Sequence, residues 1–292
     1  MKITLTGSLG NIGKPLTIKL LEEGHEVSLI SSSEARRSEI TALGAKPLIG
    51  SVEDAAFLTE AFSGADALFA MTPPNLGGAN VIENTVNAGK AFAAAIKQSG
   101  VKRVVMLSSI GADQPAGTGP IKGLHQIEAI YNDIDGIALT KLRAGYFYTN
   151  FFNDIPLIKG MGIMGGNFPA ETLIPLVHPT DIATAAAAQL LSPKEDNEVT
   201  YIVSELNSAV NIATTLGTAI GKPELPWVEF TDEQSLDGMT QAGLPAEIAA
   251  LYTEMGQGLK KGLLQSDFQA KGSPIDGKTK LADFANEFSA AF

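Results

Sequence analysis

Short apolar runs alternate with longer stretches of helical periodicity through the first half of the chain. The apolar runs predict six strands, at residues 2–7, 26–31, 46–50, 65–71, 103–109 and 137–144. The longer stretches, among them 11–23 and 79–99, predict helices. This alternation is typical of a parallel sheet covered by helices. It predicts an α/β fold with a doubly wound parallel sheet of the Rossmann type, which binds ligands at the carboxyl ends of its strands.

The alternation weakens after about residue 150, and the pattern there predicts a second, smaller portion of the chain. Residues 151–170 are rich in glycine and aromatic residues and are predicted to form a loop, whose role as a mobile gate stays open. The later predicted elements are a helix at 179–192 capped by Thr180 or Asp181, a strand at 199–204, a helix at 208–220 and a mostly helical tail at 232–292. We expect one α/β domain at 1–150 and a smaller, mostly helical portion at 151–292 packed on it.

Composition and charge exclude several classes of function. The 292 residues include 21 Lys and Arg against 32 Asp and Glu, a net charge of −11, which disfavours nucleic acid as a partner. The chain has no cysteine, which excludes disulfides and thiolate chemistry, and its three histidines show no metal-ligand spacing. No apolar run has the length of a membrane span, and the first ten residues have the pattern of a strand rather than a signal peptide. We expect a cytoplasmic protein without a bound metal.

The segment TGSLGNIG at residues 6–13 places three glycines three residues apart between a strand and a helix. Gly7 permits a tight turn, and Gly10 allows the backbone to approach a pyrophosphate at the helix N-terminus. Gly13 allows the helix to pack close to the strand. This context predicts a dinucleotide-binding site rather than three structural glycines.

The end of the second strand bears on the choice between NAD and NADP. Ser31, Ser32 and Ser33 end the strand and Arg36 follows, while Glu34 is expected to face solvent. Hydroxyl groups beside an arginine suit a 2′-phosphate, because a charge-assisted hydrogen bond contributes about 1.5–3 kcal/mol. We predict that NADP(H) is preferred and that NAD(H) is possible. The alternative is that the serines cap a helix and the arginine is solvated.

The catalytic residues of a short-chain dehydrogenase are only partly present. Ser108 ends the fifth strand as such a site requires, but none of the five tyrosines is followed four residues later by lysine. Lys122 has Thr118 in the tyrosine position, and a threonine hydroxyl is too weak an acid to replace a phenol. His125 is the candidate acid, since histidine exchanges protons near neutral pH. The alternative is a histidine that lies against the cofactor without acting as an acid.

Aromatic residues interrupt the end of the sixth strand in LRAGYFYTNFF, residues 142–152. Because the carboxyl ends of strands face the ligand, these rings can contact a flat acceptor or cover a nicotinamide. The candidates for substrate contact are Tyr146, Phe147, Tyr148 and Asn150. The alternative is an aromatic core under a loop.

Five segments together resemble the NmrA-like family of atypical short-chain dehydrogenases. They are TGSLGNIG, VKRVVMLSSIGA at 101–112, HQIE at 125–128, LRAGYFYTN at 142–150 and HPTDIATAAAAQLL at 178–191. The resemblance implies an NAD(P)-binding domain whose smaller C-terminal portion closes a cleft over the nicotinamide. Family members include NADPH-dependent quinone reductases, plant ether and isoflavone reductases, and non-catalytic redox sensors that bind transcription factors. Pro120 stands where the plant reductases carry a lysine, which argues against ether or isoflavone reduction.

The resemblance also implies positions for the cofactor. The pyrophosphate would contact Gly7, Ser8, Gly10, Asn11 and Ile12, and the adenosine ribose Ser32, Ser33 and Arg36. Gly50 and Ser51 would lie near the adenine, and Met71, Thr72, Pro73 and Ser108 near the central ribose. Tyr146, Phe147 and Tyr148 would lie near the nicotinamide. His125 is a candidate for contact with the nicotinamide ribose from its own chemistry rather than from the resemblance.

Two functions are consistent with these features. The first is an NADPH-dependent oxidoreductase that transfers a hydride to a quinone or a similar flat electrophile, in which positioning matters more than a strong acid. The second is a sensor that binds NADP(H) and presents its C-terminal helices to a regulatory protein. A sugar-nucleotide epimerase is disfavoured, because that chemistry normally depends on the absent tyrosine. The sequence does not specify the acceptor or the oligomeric state.

Overall fold

The computed structural model of the chain describes residues 1–73, 79–193 and 197–292. Its strands are β1 (Lys2–Leu5), β2 (Glu26–Ser31), β3 (Lys46–Ile49), β4 (Ala67–Ala70), β5 (Arg103–Ser109), β6 (Ala138–Ala144), β7 (Tyr146–Phe147), β8 (Met164–Gly166), β9 (Leu173–Val177), β10 (Glu198–Ile202), β11 (Glu205–Ser208) and β12 (Trp227–Glu229). Its α-helices are α1 (Gly13–Glu22), α2 (Arg37–Ala42), α3 (Ala55–Phe62), α4 (Val81–Ser99), α5 (Ile121–Asn132), α6 (Ile155–Met161), α7 (Pro179–Leu190), α8 (Ala209–Ala219), α9 (Asp232–Gln241), α10 (Ala246–Lys260), α11 (Ser266–Ala270) and α12 (Leu281–Ala291). Two 3₁₀ helices span Glu34–Arg36 and Tyr148–Asp154.

The central sheet has seven parallel strands in the order β10-β6-β5-β4-β1-β2-β3. The order reverses between β1 and β4, since the chain builds the sheet first toward β3 and then toward β10. This reversal is the point at which open α/β sheets bind ligands. The prediction of a doubly wound α/β sheet is confirmed.

Helices cover both faces of this sheet through their apolar sides. On one face α1 and α7 pack against the strands through buried residues such as Leu16, Leu20 and Ile182. On the other face α3, α4 and α5 contribute Phe62, Phe92 and other buried side chains. Because both faces are buried, the strands consist of nearly continuous apolar residues rather than an alternating pattern.

The second half of the chain contributes to the central sheet as well as to its own core. The strand predicted at 199–204 is β10, which pairs with β6 and extends the sheet, and α7 packs beneath it. The remainder forms a three-stranded sheet, β11-β9-β7, and a two-stranded sheet, β12-β8, surrounded by helices. The tail after residue 232 is mostly helical, as predicted. The domain boundary at residue 150 stays a prediction.

Residues 151–170 are more regular than the sequence indicates, and the prediction of a loop is wrong. The segment contains the end of a 3₁₀ helix, then α6 and β8. Its apolar residues Phe151, Ile158 and Met164 are buried in the C-terminal core, which stabilises local structure that the glycine content alone disfavours.

The first turn of α7 is capped by a residue other than those predicted. His178 is the N-cap residue, and its Nδ1 atom accepts a hydrogen bond from the Thr180 N–H at 3.2 Å. Asp181 is engaged elsewhere: its carboxylate accepts hydrogen bonds from the Ser204 hydroxyl at 2.8 Å and the Thr279 N–H at 2.9 Å. These distant partners are invisible to a local rule for helix caps.

The core of the C-terminal portion depends on aromatic packing by α12. We expect Phe284→Ala to lower the free energy of unfolding by about 3–5 kcal/mol, because the ring is fully buried and stacks on Tyr148 with centroids 5.4 Å apart. Denaturant unfolding followed by circular dichroism measures the change. Asn286→Ala, an exposed position of the same helix, is the control and should change the value by less than about 0.5 kcal/mol. Equal effects of the two substitutions would contradict this account of the core.

Candidate functional site

The carboxyl ends of β1 and β4 are joined by the residue that follows β1. The Thr6 hydroxyl donates to the backbone carbonyls of Phe69 and Met71, at 3.2 and 3.1 Å, and accepts the Met71 N–H at 2.7 Å. The glycine loop begins directly after this threonine. It therefore lies at the point of the sheet where the strand order reverses.

Two of the three loop glycines are required by the local backbone. Gly7 has a φ of 97°, and a Cβ atom there would lie 1.9 Å from the Met71 side chain. A Cβ atom on Gly13 would lie 2.0 Å from the Ser8 carbonyl oxygen. Gly10 has more room, because its nearest neighbour would be the Gly7 carbonyl oxygen at 3.3 Å. The absence of side chains at 7 and 13 brings the start of α1 close against the end of β1.

The N-terminus of α1 has the properties of an anion site. Its N-cap residue, Ile12, supplies no side-chain hydrogen bond, and no acidic side chain lies in the first turn. The Lys14 N–H donates to the Gly10 carbonyl at 3.1 Å, so the attraction of this end for an anion comes from the helix dipole rather than from that N–H. The Ser8 hydroxyl is buried and has no hydrogen-bond partner among the described residues. A free hydroxyl beside a helix N-terminus suits a phosphate. The loop therefore fits a dinucleotide pyrophosphate, whose contacts with Gly7, Ser8, Gly10, Asn11 and Ile12 stay predictions.

The serines after β2 differ from one another in exposure. Ser31 is buried, and its hydroxyl accepts the Ser33 N–H at 3.2 Å within a tight local turn. Ser32 and Ser33 are exposed. The turn places the two exposed serines at the carboxyl end of β2, beside the glycine loop of the adjacent strand.

Arg36 and Arg37 differ in how firmly they are paired. Arg37 hydrogen-bonds Glu34 through two nitrogens, and this interaction holds the pKa of that carboxyl below its usual range. Arg36 is exposed and has only a long ion pair, 3.7 Å, with Glu39. The Glu34 carboxylate, which is the one nearest the strand end, is therefore paired with Arg37. The exposed guanidinium of Arg36 is available to a ligand.

The other residues predicted to contact the adenosine lie at neighbouring strand ends. Gly50 donates its N–H to the Ser31 carbonyl at 3.0 Å, and a Cβ atom there would lie 2.6 Å from the Phe57 ring. Ser51 is exposed and caps the following turn through the Glu53 N–H. Of the residues after β4, Met71 and Thr72 are half-buried and Pro73 is exposed. All of them remain candidates for contact with the cofactor.

Ser108 is engaged in a buried network rather than exposed at the end of β5. Its hydroxyl donates to Glu128 Oε1 at 2.6 Å, and Arg143 binds the same carboxylate through Nε and Nη2 at 3.0 and 2.7 Å. Arg143 also donates to the Tyr201 hydroxyl at 3.0 Å and to Asp267 at 3.1 Å. The contact predicted between Ser108 and the central ribose stays a prediction, and the structure gives this hydroxyl a structural partner.

This network is absent from the sequence analysis because its members are distant in the chain. Arg143 lies on β6, Glu128 on α5, Tyr201 on β10 and Asp267 on α11. The ion pair therefore joins the central sheet to the C-terminal tail. The sequence does contain one signal: Arg143 and Glu128 are charged residues in elements whose buried faces are otherwise apolar. A buried charge needs a partner, so each of the two residues indicates an ion pair.

His125 is held in one orientation by the loop that follows β5. Its Nδ1 atom lies 2.9 Å from the Ala112 carbonyl oxygen. Since a carbonyl can only accept, Nδ1 carries the hydrogen, and Nε2 of the neutral ring has a free lone pair. The ring can therefore accept a hydrogen bond from a ribose hydroxyl, and it can donate a proton only after it is itself protonated.

The aromatic segment after β6 contains both half-buried and fully buried side chains. Tyr146 and Phe147 are half-buried, and the Tyr146 ring packs against Phe151 with centroids 5.2 Å apart. Burial raises the pKa of the Tyr146 phenol, the charges of Asp154 and Tyr252 add to the rise, and a hydrogen bond from Asn150 opposes it. Tyr146, Phe147 and Asn150 remain candidates for contact with the substrate.

Tyr148 is a correction to the predicted site. Its side chain is fully buried, and its hydroxyl donates to Glu205 at 2.8 Å while its ring stacks on Phe284. The chain enters a 3₁₀ helix at this residue, so the alternation that would place Tyr146 and Tyr148 on one side of a strand does not continue. Tyr148 belongs to the C-terminal core and is not available to a substrate.

Asp154 and Tyr252 are two further titratable residues with a raised pKa that the sequence analysis did not single out. Burial raises the pKa of Asp154 to about 7, and burial also raises the pKa of Tyr252. Both groups contribute to the raised pKa of the Tyr146 phenol. Asp154 follows the aromatic segment closely in sequence, but Tyr252 is about a hundred residues away and carries no local signal.

Other types of site find no support in the described part of the chain. Residues 1–73, 79–193 and 197–292 contain no cluster of three His, Cys, Asp or Glu side chains arranged to hold a metal ion. Among the same residues, every helix is too short or too polar to cross a membrane.

Comparison with known proteins agrees with this geometry. A family model described as NAD(P)H-binding matches residues 7–142. The chain is 27% identical to an NAD(P)H azoreductase from Xenophilus azovorans, over 99% of both chains.

Two solved structures resemble the whole chain. One is an NADPH-dependent quinone oxidoreductase from Escherichia coli complexed with NADPH, with a TM-score of 0.83 and 22% identity over 98% of this chain and 99% of the other. The other is a triphenylmethane reductase from Citrobacter sp. complexed with NADP(H), with a TM-score of 0.81 and 19% identity over 98% and 99%. These likenesses establish the fold across the full length of the chain.

The close approach at Gly13 gives a direct test of the dinucleotide site. We expect Gly13→Ala to weaken NADPH binding at least about tenfold and to destabilise the fold by about 1–3 kcal/mol, because the new methyl group overlaps the Ser8 carbonyl oxygen. Nicotinamide fluorescence and denaturant unfolding measure the two effects. Gly238→Ala, on α9, is the matched control, since a Cβ atom there meets no atom within 4 Å. Unchanged NADPH affinity in Gly13→Ala would refute the assignment of the loop.

Proposed function

We propose that the chain is an NADPH-dependent oxidoreductase of the NmrA-like, atypical short-chain dehydrogenase type, with an NAD(P)-binding Rossmann fold, and that it acts on a quinone or another flat electrophile. The observation that carries the proposal is the half-buried pair Tyr146 and Phe147, which follows β6 at the carboxyl edge of the central sheet, the edge that also carries the glycine loop. An aromatic wall beside a hydride donor suits a planar acceptor. The proteins that resemble this chain carry names that specify an azo, a quinone and a triphenylmethane acceptor.

The residues of the sheet edge would hold the cofactor along its length. The α1 N-terminus and Ser8 would bind the pyrophosphate, and Ser32, Ser33 and Arg36 would bind the adenosine ribose and its 2′-phosphate. His125 Nε2 would accept a hydrogen bond from the nicotinamide ribose, which the fixed Nδ1–H of that ring favours. When bound, NADPH supplies the hydride. The protein itself would bind and orient the cofactor and the acceptor, and the rings of Tyr146 and Phe147 would exclude water from them.

The chemistry does not require the tyrosine and lysine of an ordinary short-chain dehydrogenase. Thr118, four residues before Lys122, is fully buried and is not available to an acceptor. Reduction of a quinone develops negative charge on an oxygen that is conjugated to a ring, so the transition state needs less acid assistance than reduction of an isolated ketone. A planar acceptor is therefore the class that this site suits best.

The preference for NADPH is testable at Arg36. We expect Arg36→Ala to raise the Kd for NADPH by about 10- to 100-fold, the equivalent of the roughly 1.5–3 kcal/mol of a charge-assisted hydrogen bond, and to leave the Kd for NADH unchanged. Fluorescence titration measures both. Arg37→Ala is the matched control, since Arg37 is already paired with Glu34. Equal losses for the two nucleotides would contradict recognition of the 2′-phosphate by Arg36.

The proposed activity is tested by mixing the protein with NADPH and then with quinones, azo dyes and triphenylmethane dyes. We expect fluorescence to rise on binding and to decay in the presence of at least one planar acceptor but not with simple aliphatic ketones. Phe147→Ala should raise the KM for that acceptor, because it removes part of the wall. A signal that rises and then stays constant with every acceptor would refute the proposed activity and favour the NADP(H) sensor.

A further inference from the structure

The loop that leads into α5 is packed against one face of α10. Leu251, Glu254 and Gly258 lie three and four residues apart, so they share that face of the helix. A Cβ atom on Gly119 of the loop would lie 2.1 Å from the Leu251 carbonyl oxygen. A Cβ atom on Gly258 would lie 2.2 Å from the Gly117 carbonyl oxygen. The loop and the helix approach this closely because a glycine stands at each contact.

One side chain of α10 binds the backbone of this loop. The Gly117 N–H donates to Glu254 Oε1 at 2.9 Å, between residues that are 137 apart in the chain. Gly117 and Gly119 have φ angles of 79° and 58°, a backbone conformation that other residues rarely adopt. Thr118, between them, is fully buried. The position of the loop is therefore set by α10, through Glu254 and through the glycine contacts.

The loop passes directly into the helix that carries His125. The Thr118 carbonyl accepts the Ile121 N–H at 3.3 Å, and the next carbonyl along, that of Gly119, accepts the Lys122 N–H at 3.2 Å. Both donors belong to the first turn of α5, and His125 follows one turn later. A displacement of the loop would therefore move the start of α5, and the imidazole with it.

His125 has a second attachment, at the other end of the segment between β5 and α5. Its Nδ1–H donates to the Ala112 carbonyl at 2.9 Å. The Ala112 N–H in turn donates to the Ser109 carbonyl at 3.1 Å, at the end of β5. Ala112 and Ile121 belong to one small apolar cluster, and Met255 of α10 packs against that cluster. The sheet therefore sets the direction of the ring, and α10 sets the position of the helix turn that precedes it.

We propose that Glu254 is a positioning residue for the nicotinamide end of the cofactor. Its hydrogen bond with the Gly117 N–H holds the start of α5 where the Nε2 lone pair of His125 can accept a hydrogen bond from the nicotinamide ribose. The inference rests on the proposed function and adds to it a residue of the C-terminal portion that acts through His125 rather than by contact with the cofactor. Binding at the adenosine end, by the glycine loop and the residues after β2, does not depend on Glu254.

Two ligands separate the two ends of the site. NADPH carries the nicotinamide ribose, whereas adenosine 2′,5′-bisphosphate carries only the adenosine with its two phosphates. We expect Glu254→Ala to raise the Kd for NADPH about three- to tenfold, because one neutral hydrogen bond to the ribose is lost, and to leave the Kd for the bisphosphate unchanged. Isothermal titration calorimetry measures both constants. Equal losses for the two ligands would overturn the proposal, since they would show a general disturbance of the fold.

Three further variants of α10 sharpen this comparison. Glu254→Gln keeps an acceptor oxygen at the same place, so its Kd for NADPH should stay within about twofold of the wild-type value. Gly258→Ala should give the same selective loss for NADPH as Glu254→Ala, because its methyl group overlaps the Gly117 carbonyl oxygen. Gln257→Ala is the matched control and should leave both constants unchanged, since the Gln257 amide donates to Asp232 on α9 at 2.8 Å rather than to the loop.

A double-mutant cycle tests whether Glu254 acts through His125. We expect His125→Ala to raise the Kd for NADPH by a similar factor, and Glu254→Ala to have no further effect in the His125→Ala background, because the contact that it positions is already gone. Losses that multiply in the double variant would show that the two residues act independently, and would overturn the proposal. Failure of the wild-type protein to bind either ligand would instead overturn the proposed function on which it rests.

Discussion

The close approach of α1 to the end of β1 is the constraint on which the nucleotide-binding half depends. It is possible only because Gly13 has no Cβ atom, since that atom would overlap the Ser8 carbonyl oxygen. The same approach places the N-terminus of α1 and the Ser8 hydroxyl at the sheet edge, and this hydroxyl has no hydrogen-bond partner within the part of the chain that the structure describes. The packing of one helix therefore creates a site that a bound anion completes.

A second interaction connects this half to the rest of the chain. The buried pair of Arg143 and Glu128 also reaches Tyr201 on β10 and Asp267 on α11, so that one guanidinium joins four elements. Buried ion pairs add little net stability relative to apolar packing, but they strongly disfavour arrangements in which either charge is unpaired. The network therefore fixes how the tail sits against the central sheet.

The sequence predicts those features that local patterns control. The six strands of the first half, the glycine loop and the helical tail follow from periodicity and from turn residues, and all are present. Features that depend on distant partners were not predictable. Tyr148 lies in the same aromatic segment as Tyr146, but it is buried in the core, where it contacts Glu205 and Phe284. The N-cap of α7 is His178 rather than Asp181, whose carboxylate has partners far along the chain.

The same reasoning explains why Asp154 carries no signal in the sequence. An aspartate before an Ile-Pro pair has the pattern of an ordinary helix start, yet its carboxyl forms no cap hydrogen bond with α6. What distinguishes Asp154 is its burial in the tertiary structure, which raises its pKa to about 7. Arg36 and the α1 N-terminus place positive charge at the carboxyl ends of β1 and β2, in a chain of net charge −11. In a chain whose surface is otherwise acidic, this local positive charge favours a phosphorylated ligand at this edge of the sheet over other parts of the surface.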